Sequence, residues 1–181
     1  MPFDNFEWNK EEESISWTFL GKRQVHKIKN LFYAALNLEQ NYVYLVAGEN
    51  YNQDEIYYLL EDGVILFKCN TNTDEILWRN KDDYITIICK NIVNSYHNAK
   101  QQITLVITAN NKLLGYDIKG IRIFETPAPE DYSFLYFSTQ NDKLLVIAEK
   151  THGDEDDFGR NRRQFIIDEK SGKLLKSDLA Y

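Results

Sequence analysis

An all-β fold is what this sequence predicts, and three observations predict it. The apolar residues fall in short runs, many of them alternating with polar ones. Aromatics are abundant, with 12 Tyr and 10 Phe, and these residue types suit a pleated, half-buried surface better than a helix. A hairpin pattern also recurs: FEWNKEEESISWTF at 6–19, ILFKCNTNTDEILWRN at 65–80, LLGYDIKGIRIFE at 113–125 and QFIIDEKSGKLLKS at 164–177. Each stretch has an apolar or aromatic run, a polar turn and a second run, the signature of two antiparallel strands joined by a tight turn. All three tryptophans, Trp8, Trp17 and Trp78, lie in these stretches. A chain of 181 residues suits one domain, 1–181, with a substantial core.

Taken in order, residues 6–19 make the first hairpin. Ile15, Trp17 and Phe19 alternate with Ser16 and Thr18, so one face meets a core and the other water. GKRQVHKIKN reads as loop or weak strand, because Val25 and Ile28 alone define no amphipathic face. LFYAALNLE, 31–39, has helical propensity, yet YVYLVAGE follows after only Gln40 and Asn41, and the repeat calls for a strand. EIYYLL and VILFKCN flank a turn at Glu61, Asp62 and Gly63, which gives the second unit an extra strand or a long excursion. DYITIICKNIV and ITLVITA are two further strand runs, separated by the polar NSYHNAKQQ. Asn110, Asn111 and Lys112 turn the chain into the third hairpin, and Pro127 and Pro129 in TPAPED mark a boundary between units. YSFLYFSTQ and KLLVIAEK open the last unit, THGDEDDFGRNRR forms a long polar loop, and QFIIDEKSGKLLKS closes it.

With the second strands of the hairpins aligned, Trp17, Trp78, Ile123 and Leu175 take corresponding places. Units of about 40–50 residues with four strands each are propeller blades. YLLEDGVILFKCNTNTDEILWRN and ITANNKLLGYDIKGIRIFE resemble quinoprotein-type blade repeats of the β-propeller class, and IIDEKSGKLLK repeats the rhythm without the aromatic. The resemblance is loose and implies only architecture; no cofactor is carried over, since a quinone site needs a channel lined by many blades. The first hairpin has no inner strands before it, and only Asp178 to Tyr181 follow the last. The expectation is an open or ruptured propeller-like array of three to four antiparallel blades, with a single β-sandwich as the alternative. Open sheet edges in such an array must be covered, charged or used for binding.

The charge balance of 28 acidic against 21 basic residues, net −7, argues against nucleic acid or an anionic membrane as partner and favours a basic protein. MPFDNFEWNKEEE lacks the features of a signal peptide, and no apolar run reaches the roughly 20 residues of a membrane span; a cytoplasmic location is expected. Cys69 and Cys89 read as buried thiols. None of GxGxxG, Walker-type GxxxxGK[ST], HExxH, GxSxG or CxxC occurs, and His26, His97 and His152 each sit in a polar connector, so no catalytic residue, metal site or cofactor is expected.

Two surfaces remain as candidate partner-binding sites. Asp154, Glu155, Asp156, Asp157 and Phe158 begin like a calcium loop but place Phe158 and Phe165 where ligands are needed. They read either as a solvated tip paired with Arg160, Arg162 and Arg163 or as an acidic finger anchored by Phe158. Around NYNQDE, Tyr51, Asp54, Glu55 and Tyr57 combine aromatic area with carboxylates, as interfaces do. By general character the chain is similar to immunity proteins of bacterial toxin–antitoxin pairs, which implies an acidic inhibitor occluding a basic, nuclease-type toxin. A scaffold or interaction module of propeller type is the alternative, and a carboxylate-dependent hydrolase ranks third.

Overall fold

The computed structural model describes residues 3–141, 143–152 and 161–179. Among them there is no α-helix; 17 strands and one short 3-10 turn form four antiparallel sheets. Sheet A holds β1 (Asp4–Asn9), β2 (Ser14–Phe19) and β3 (Lys22–Lys27). Sheet B has six strands: β4 (Leu31–Asn37), β5 (Tyr42–Ala47), β6 (Glu55–Leu59), β7 (Ile65–Asn70), β8 (Glu75–Asn80) and β9 (Asp83–Ile88). Sheet C holds β10 (Ile92–Asn98), β11 (Ile103–Thr108), β12 (Lys112–Asp117) and β13 (Arg122–Pro127). Sheet D holds β14 (Tyr132–Gln140), β15 (Lys143–Lys150), β16 (Arg162–Ile167) and β17 (Leu174–Leu179). Strand order follows chain order within every sheet. Four separate sheets, each a run of antiparallel neighbours, are the expected blade-like array and not a two-sheet sandwich.

The chain divides into two compact units, residues 1–89 and 90–181. In the first, sheets A and B bury Ile15 and Trp17 of β2 against Leu31, Val43, Leu45 and Leu59, with Phe3 closing one side. Trp17 also donates its indole N–H to the Glu61 carbonyl (2.6 Å) and stacks on His26 (5.2 Å between centroids, 15° between planes). Sheet A is thereby tied to the β6–β7 turn by both apolar area and a directed bond. In the second unit, Leu105, Ile107 and Leu113 of sheet C pack on Val146, Ala148, Phe165 and Ile167 of sheet D. Asparagines bridge the two sheets: Asn111 donates to the Tyr132 carbonyl (2.7 Å) and accepts from the Phe134 amide (2.8 Å), and Asn94 accepts from the Phe137 amide (3.2 Å). These bonds satisfy backbone groups that β14, an edge strand, turns away from its own sheet.

Three readings of the sequence are decided or changed at this point. Of the two readings of GKRQVHKIKN, loop or weak strand, the strand holds: residues 22–27 pair along the whole of β2. NSYHNAKQQ is not a connector, because Asn94, Ser95, His97 and Asn98 lie buried on β10. The polarity of Asn94, His97 and Asn98 is met internally, His97 Nδ1 lying 2.9 Å from Thr104 Oγ1 and Asn98 bonding the Glu169 carboxylate, whereas the Ser95 hydroxyl is buried with no hydrogen-bond partner among the described residues. The third concerns the frame of the repeat. All four hairpin stretches are strand pairs, but they occupy different places in their sheets: β7–β8 is followed by β9 and β1–β2 by β3, whereas β12–β13 and β16–β17 end theirs. Trp17 and Trp78 are 1% and 0% exposed, while Ile123 and Leu175 are 43% and 64% exposed. The residues that correspond are the fourth positions of the penultimate strands: Trp17, Trp78, Gly115 and Phe165. Gly115 is small because Phe124 of the next strand lies directly over it, so that any Cβ would strike the Phe124 ring. The aromatic of that blade is supplied from β13.

Candidate functional site

Sheets B, C and D each begin with the same device. Asn30, Asn91 and Asp131 have left-handed backbones (φ 59°, 60° and 65°), a conformation Asn and Asp tolerate better than other side chains. Their carbonyls accept the amides of Gly48 (3.0 Å), Ala109 (2.8 Å) and Thr151 (2.7 Å), which locks the start of the first strand to the end of the second. Each first strand then carries a register shift, between Leu31 and Tyr33, Ile92 and Asn94, and Phe134 and Tyr136. A β-bulge of this kind re-aims a side chain, and the extra residues are Phe32, Val93 and Leu135.

In sheet B the bulge meets the candidate loop at 48–55. Phe32 contacts the ring of Tyr51 edge to face (5.7 Å). Tyr51 ends the 3-10 turn Glu49–Tyr51 and is 81% exposed. Its backbone is left-handed (φ 63°), as is that of Asn50 (φ 53°), an arrangement that costs a non-glycine residue on the order of 1–2 kcal/mol. The loop holds it by a set of bonds: Glu49 N–H to Asp54 Oδ2 (3.1 Å), Asn52 N–H to the Glu49 carbonyl (3.0 Å) and Thr71 N–H to the Asp54 carbonyl (2.9 Å). Gly48 is required, since a Cβ there would run into the carbonyl oxygen of Asn52 and the Asp54 carboxylate. The outcome is a braced loop presenting one aromatic ring beside two carboxylates, those of Glu49 and Asp54.

Glu55 and Tyr57 belong to a different cluster. The pairing of β6 with β7 sets Glu55 opposite Asn70 and Tyr57 opposite Lys68. Glu55 accepts from Tyr57 (2.8 Å) and Asn70 (2.9 Å) and pairs with Lys68 (3.1 Å), whose ammonium also lies 5.0 Å from the Tyr57 ring centre. Burial works to raise the Glu55 pKa, but the bonds from Tyr57, Lys68 and Asn70 outweigh it and hold the carboxyl below its ordinary value. For Lys68 burial works the other way and the same partners win, raising its pKa. Burial and the bond to Glu55 raise Tyr57. General acid–base chemistry wants groups tuned towards neutrality; these three are moved away from it, and the cluster is an internal cross-strand network. Of the sequence candidates, then, Tyr51 and Asp54 share the exposed loop, while Glu55 and Tyr57 face inward on the adjoining strand.

Asp154, Glu155, Asp156, Asp157 and Phe158 lie outside the described residues. Arg162, expected to pair with them, sits on β16 3.8 Å from Glu149. Among the described residues no group of three or more His, Cys, Asp or Glu could hold a metal ion, and no helix is long and apolar enough to cross a membrane. Cys69 and Cys89 are buried thiols. Sequence reasoning missed Phe32, although Asn30 followed by an apolar run, matched by Asn91 and Asp131, is a local signal for it.

No family model matches this chain, and no curated protein does. Solved structures are nonetheless similar in fold. Virginiamycin B lyase from Staphylococcus aureus, in a catalytically inactive form with quinupristin, matches at 12% identity over 97% of this chain and 69% of its own, with a TM-score of 0.51. The Cps50 (Swd1) β-propeller domain of Myceliophteria thermophila matches at 10% identity over 96% and 71%, with a TM-score of 0.46. A chain of the S. cerevisiae assembly of Dbp5 with Nup159, Gle1, IP6 and ADP matches at 10% identity over 97% of this chain, which spans 61% of that one, with a TM-score of 0.47. The chain spans 44% of BamB from Moraxella catarrhalis. At such identities the likeness concerns fold: the protein is all-β and propeller-like.

Proposed function

We propose that this protein is a non-enzymatic scaffold or interaction module of propeller type, and that the 48–55 loop is its protein-binding site. One observation carries the proposal. Tyr51 is displayed almost fully to solvent on a loop whose left-handed backbone, indispensable Gly48 and bonds to Asp54 fix its position. An exposed aromatic that the fold strains to hold in place is an anchor in search of a pocket, because little ordering entropy remains to be lost when it docks. Glu49 and Asp54 beside it, with a net charge of −7, match a partner with an apolar socket rimmed by Lys or Arg. The narrower reading, neutralisation of a basic nuclease-type toxin in the cytoplasm, would use this loop together with the acidic run at 154–157. Neither the fold nor the similar structures support it, and it is not needed to explain the loop.

The test is a comparison of immobilised wild type, Tyr51→Ala, Gly48→Ala and the control Leu20→Ala, a solvent-exposed site on another turn. A partner captured from the source cells by wild type is purified and its affinity measured for each variant. Tyr51→Ala should weaken binding by roughly tenfold or more, as loss of an interface hot spot does, Gly48→Ala should weaken it through loop distortion, and Leu20→Ala should leave it unchanged. Equal affinity of Tyr51→Ala and wild type would overturn the assignment.

A further inference from the structure

Each sheet ends in two edge strands, and an unpaired edge is a template for another strand unless something blunts it. Almost every edge here is blunted. β1, β4, β10, β14 and β17 carry register shifts. β3 is lined by Lys22, Arg23 and Lys27, and β13 carries Arg122 and ends in Pro127. β9 is the exception among the described residues: DYITII contains no Pro, Gly, Lys or Arg, and it pairs with β8 from Asp83 to Ile88 without a shift. Tyr84, Thr86 and Ile88 on its solvent face are exposed, Ile88 by 66%.

The direction of its free backbone groups follows from one bond. The amide of Cys89 donates to the Asp74 carbonyl (2.9 Å) on the β8 side. Backbone groups alternate along a strand, so the odd-numbered residues turn theirs to β8, and those of Tyr84, Thr86 and Ile88 point outward.

We propose that β9 is a self-association edge that pairs antiparallel with β9 of a second copy of this chain, joining two six-stranded sheets across a two-fold axis. The sequence of the edge is self-complementary in the one register that centres the axis on Thr86. Thr86 then faces Thr86 of the other copy and Tyr84 faces Ile88 on the exposed face, while Asp82, in the turn before β9, comes to the end at which Lys90 follows the other copy's β9; each pair except Thr86 occurs twice. Threonine pairs, aromatic with β-branched pairs and opposite charges are the cross-strand combinations that stabilise antiparallel sheets. A symmetric pairing needs the same patch to complement itself, and an edge acidic at one end and basic at the other does so only against an antiparallel copy.

Sedimentation equilibrium over a concentration series tests this on the whole chain. Wild type should pass from monomer to dimer. Thr86→Pro removes an outward amide and leaves the β8 ladder its own bonds, and Ile88→Lys adds a charge at the edge; each should weaken dimerisation by roughly tenfold or more, with an unchanged circular-dichroism spectrum certifying the fold. Should Thr86→Pro fail to fold, the exposed charge reversals decide. Asp82→Lys or Lys90→Asp alone sets like charges opposite each other twice and should weaken the dimer, and the double reversal should restore it. Wild type that stays monomeric into the hundreds of micromolar, or a dimer indifferent to these changes, would overturn the proposal.

Discussion

His97 should make this fold lose stability as pH falls through a range in which most proteins are indifferent. The ring is 1% exposed on β10, opposite Thr104, whose hydroxyl lies 2.9 Å from Nδ1. Burial disfavours the cation and lowers the pKa from 6.5 to about 4. A folded pKa below the unfolded one means that the unfolded chain binds the proton first. The contribution is therefore complete above the unfolded value and is lost as pH falls through 6.5 towards 4. With those two values the loss is about 0.8 kcal/mol at pH 6, about 1.4 kcal/mol at pH 5.5 and about 3 kcal/mol at pH 4. His26, whose pKa is also lowered by burial, adds a slope of the same sign, so the comparison must be with a variant. His97→Gln keeps a polar side chain for Thr104 and cannot titrate. Urea midpoints at constant m, for wild type and variant between pH 7.5 and 5.5, isolate the His97 share. The stability of wild type relative to His97→Gln should fall by about 1.4 kcal/mol across that window. A difference that stays flat would mean that the ring is protonated or reached by water in the folded state, and the burial argument would fail.

Trp17→Phe should cost about 3 kcal/mol, from a vacated ring volume and the Glu61 carbonyl left without its 2.6 Å donor. Circular dichroism during urea unfolding measures it, and a cost under about 1 kcal/mol would show that the bond and the His26 stack hold nothing. Glu55→Gln should cost about 1 kcal/mol at pH 7, where the carboxylate serves Tyr57, Asn70 and Lys68. Because its folded pKa is lowered, that cost is present above the ordinary carboxylate range and should disappear as pH falls through the folded value; a pH-independent cost would assign it to packing.

The strands that sequence reasoning found are those in which one face is apolar, for there the period-2 pattern and the turn residues agree. β10 escaped because its buried face is polar. Asn94, His97 and Asn98 are tolerable there only because the Phe137 amide, Thr104 and the Glu169 carboxylate come from β14, β11 and the β16–β17 turn, and no local pattern announces them. β3 is half legible, as loop or weak strand, for a different reason: this edge strand exposes Lys22, Arg23, Val25 and Lys27 and turns the polar Gln24 and His26 towards the sheet, the composition of a loop. The candidate loop was half legible. The exposure of Tyr51 follows from the polar residues around it, but the inward turn of Glu55 and Tyr57 depends on which residues of β7 face them.

The hairpins' second strands are a false frame for the repeat, and the reason is physical. A blade needs an aromatic volume at one place in its core, not on one particular strand. Sheets A and B supply it from the penultimate strand, with Trp17 and Trp78, and sheet D does the same with Phe165. In sheet C the penultimate strand offers Gly115 and the last strand returns Phe124 across it, a ring that also lies against Gly172 of sheet D. Aligning the hairpins' second strands shifts the copies in sheets C and D by one strand, from Gly115 to Ile123 and from Phe165 to Leu175. The backbone is a truer guide, because Asn30, Asn91 and Asp131 answer to a conformational need that few side chains meet. Each stands immediately before a first strand, and its carbonyl accepts the amide at the end of the second. The repeat is counted from these three residues, and the aromatics are free to move within it.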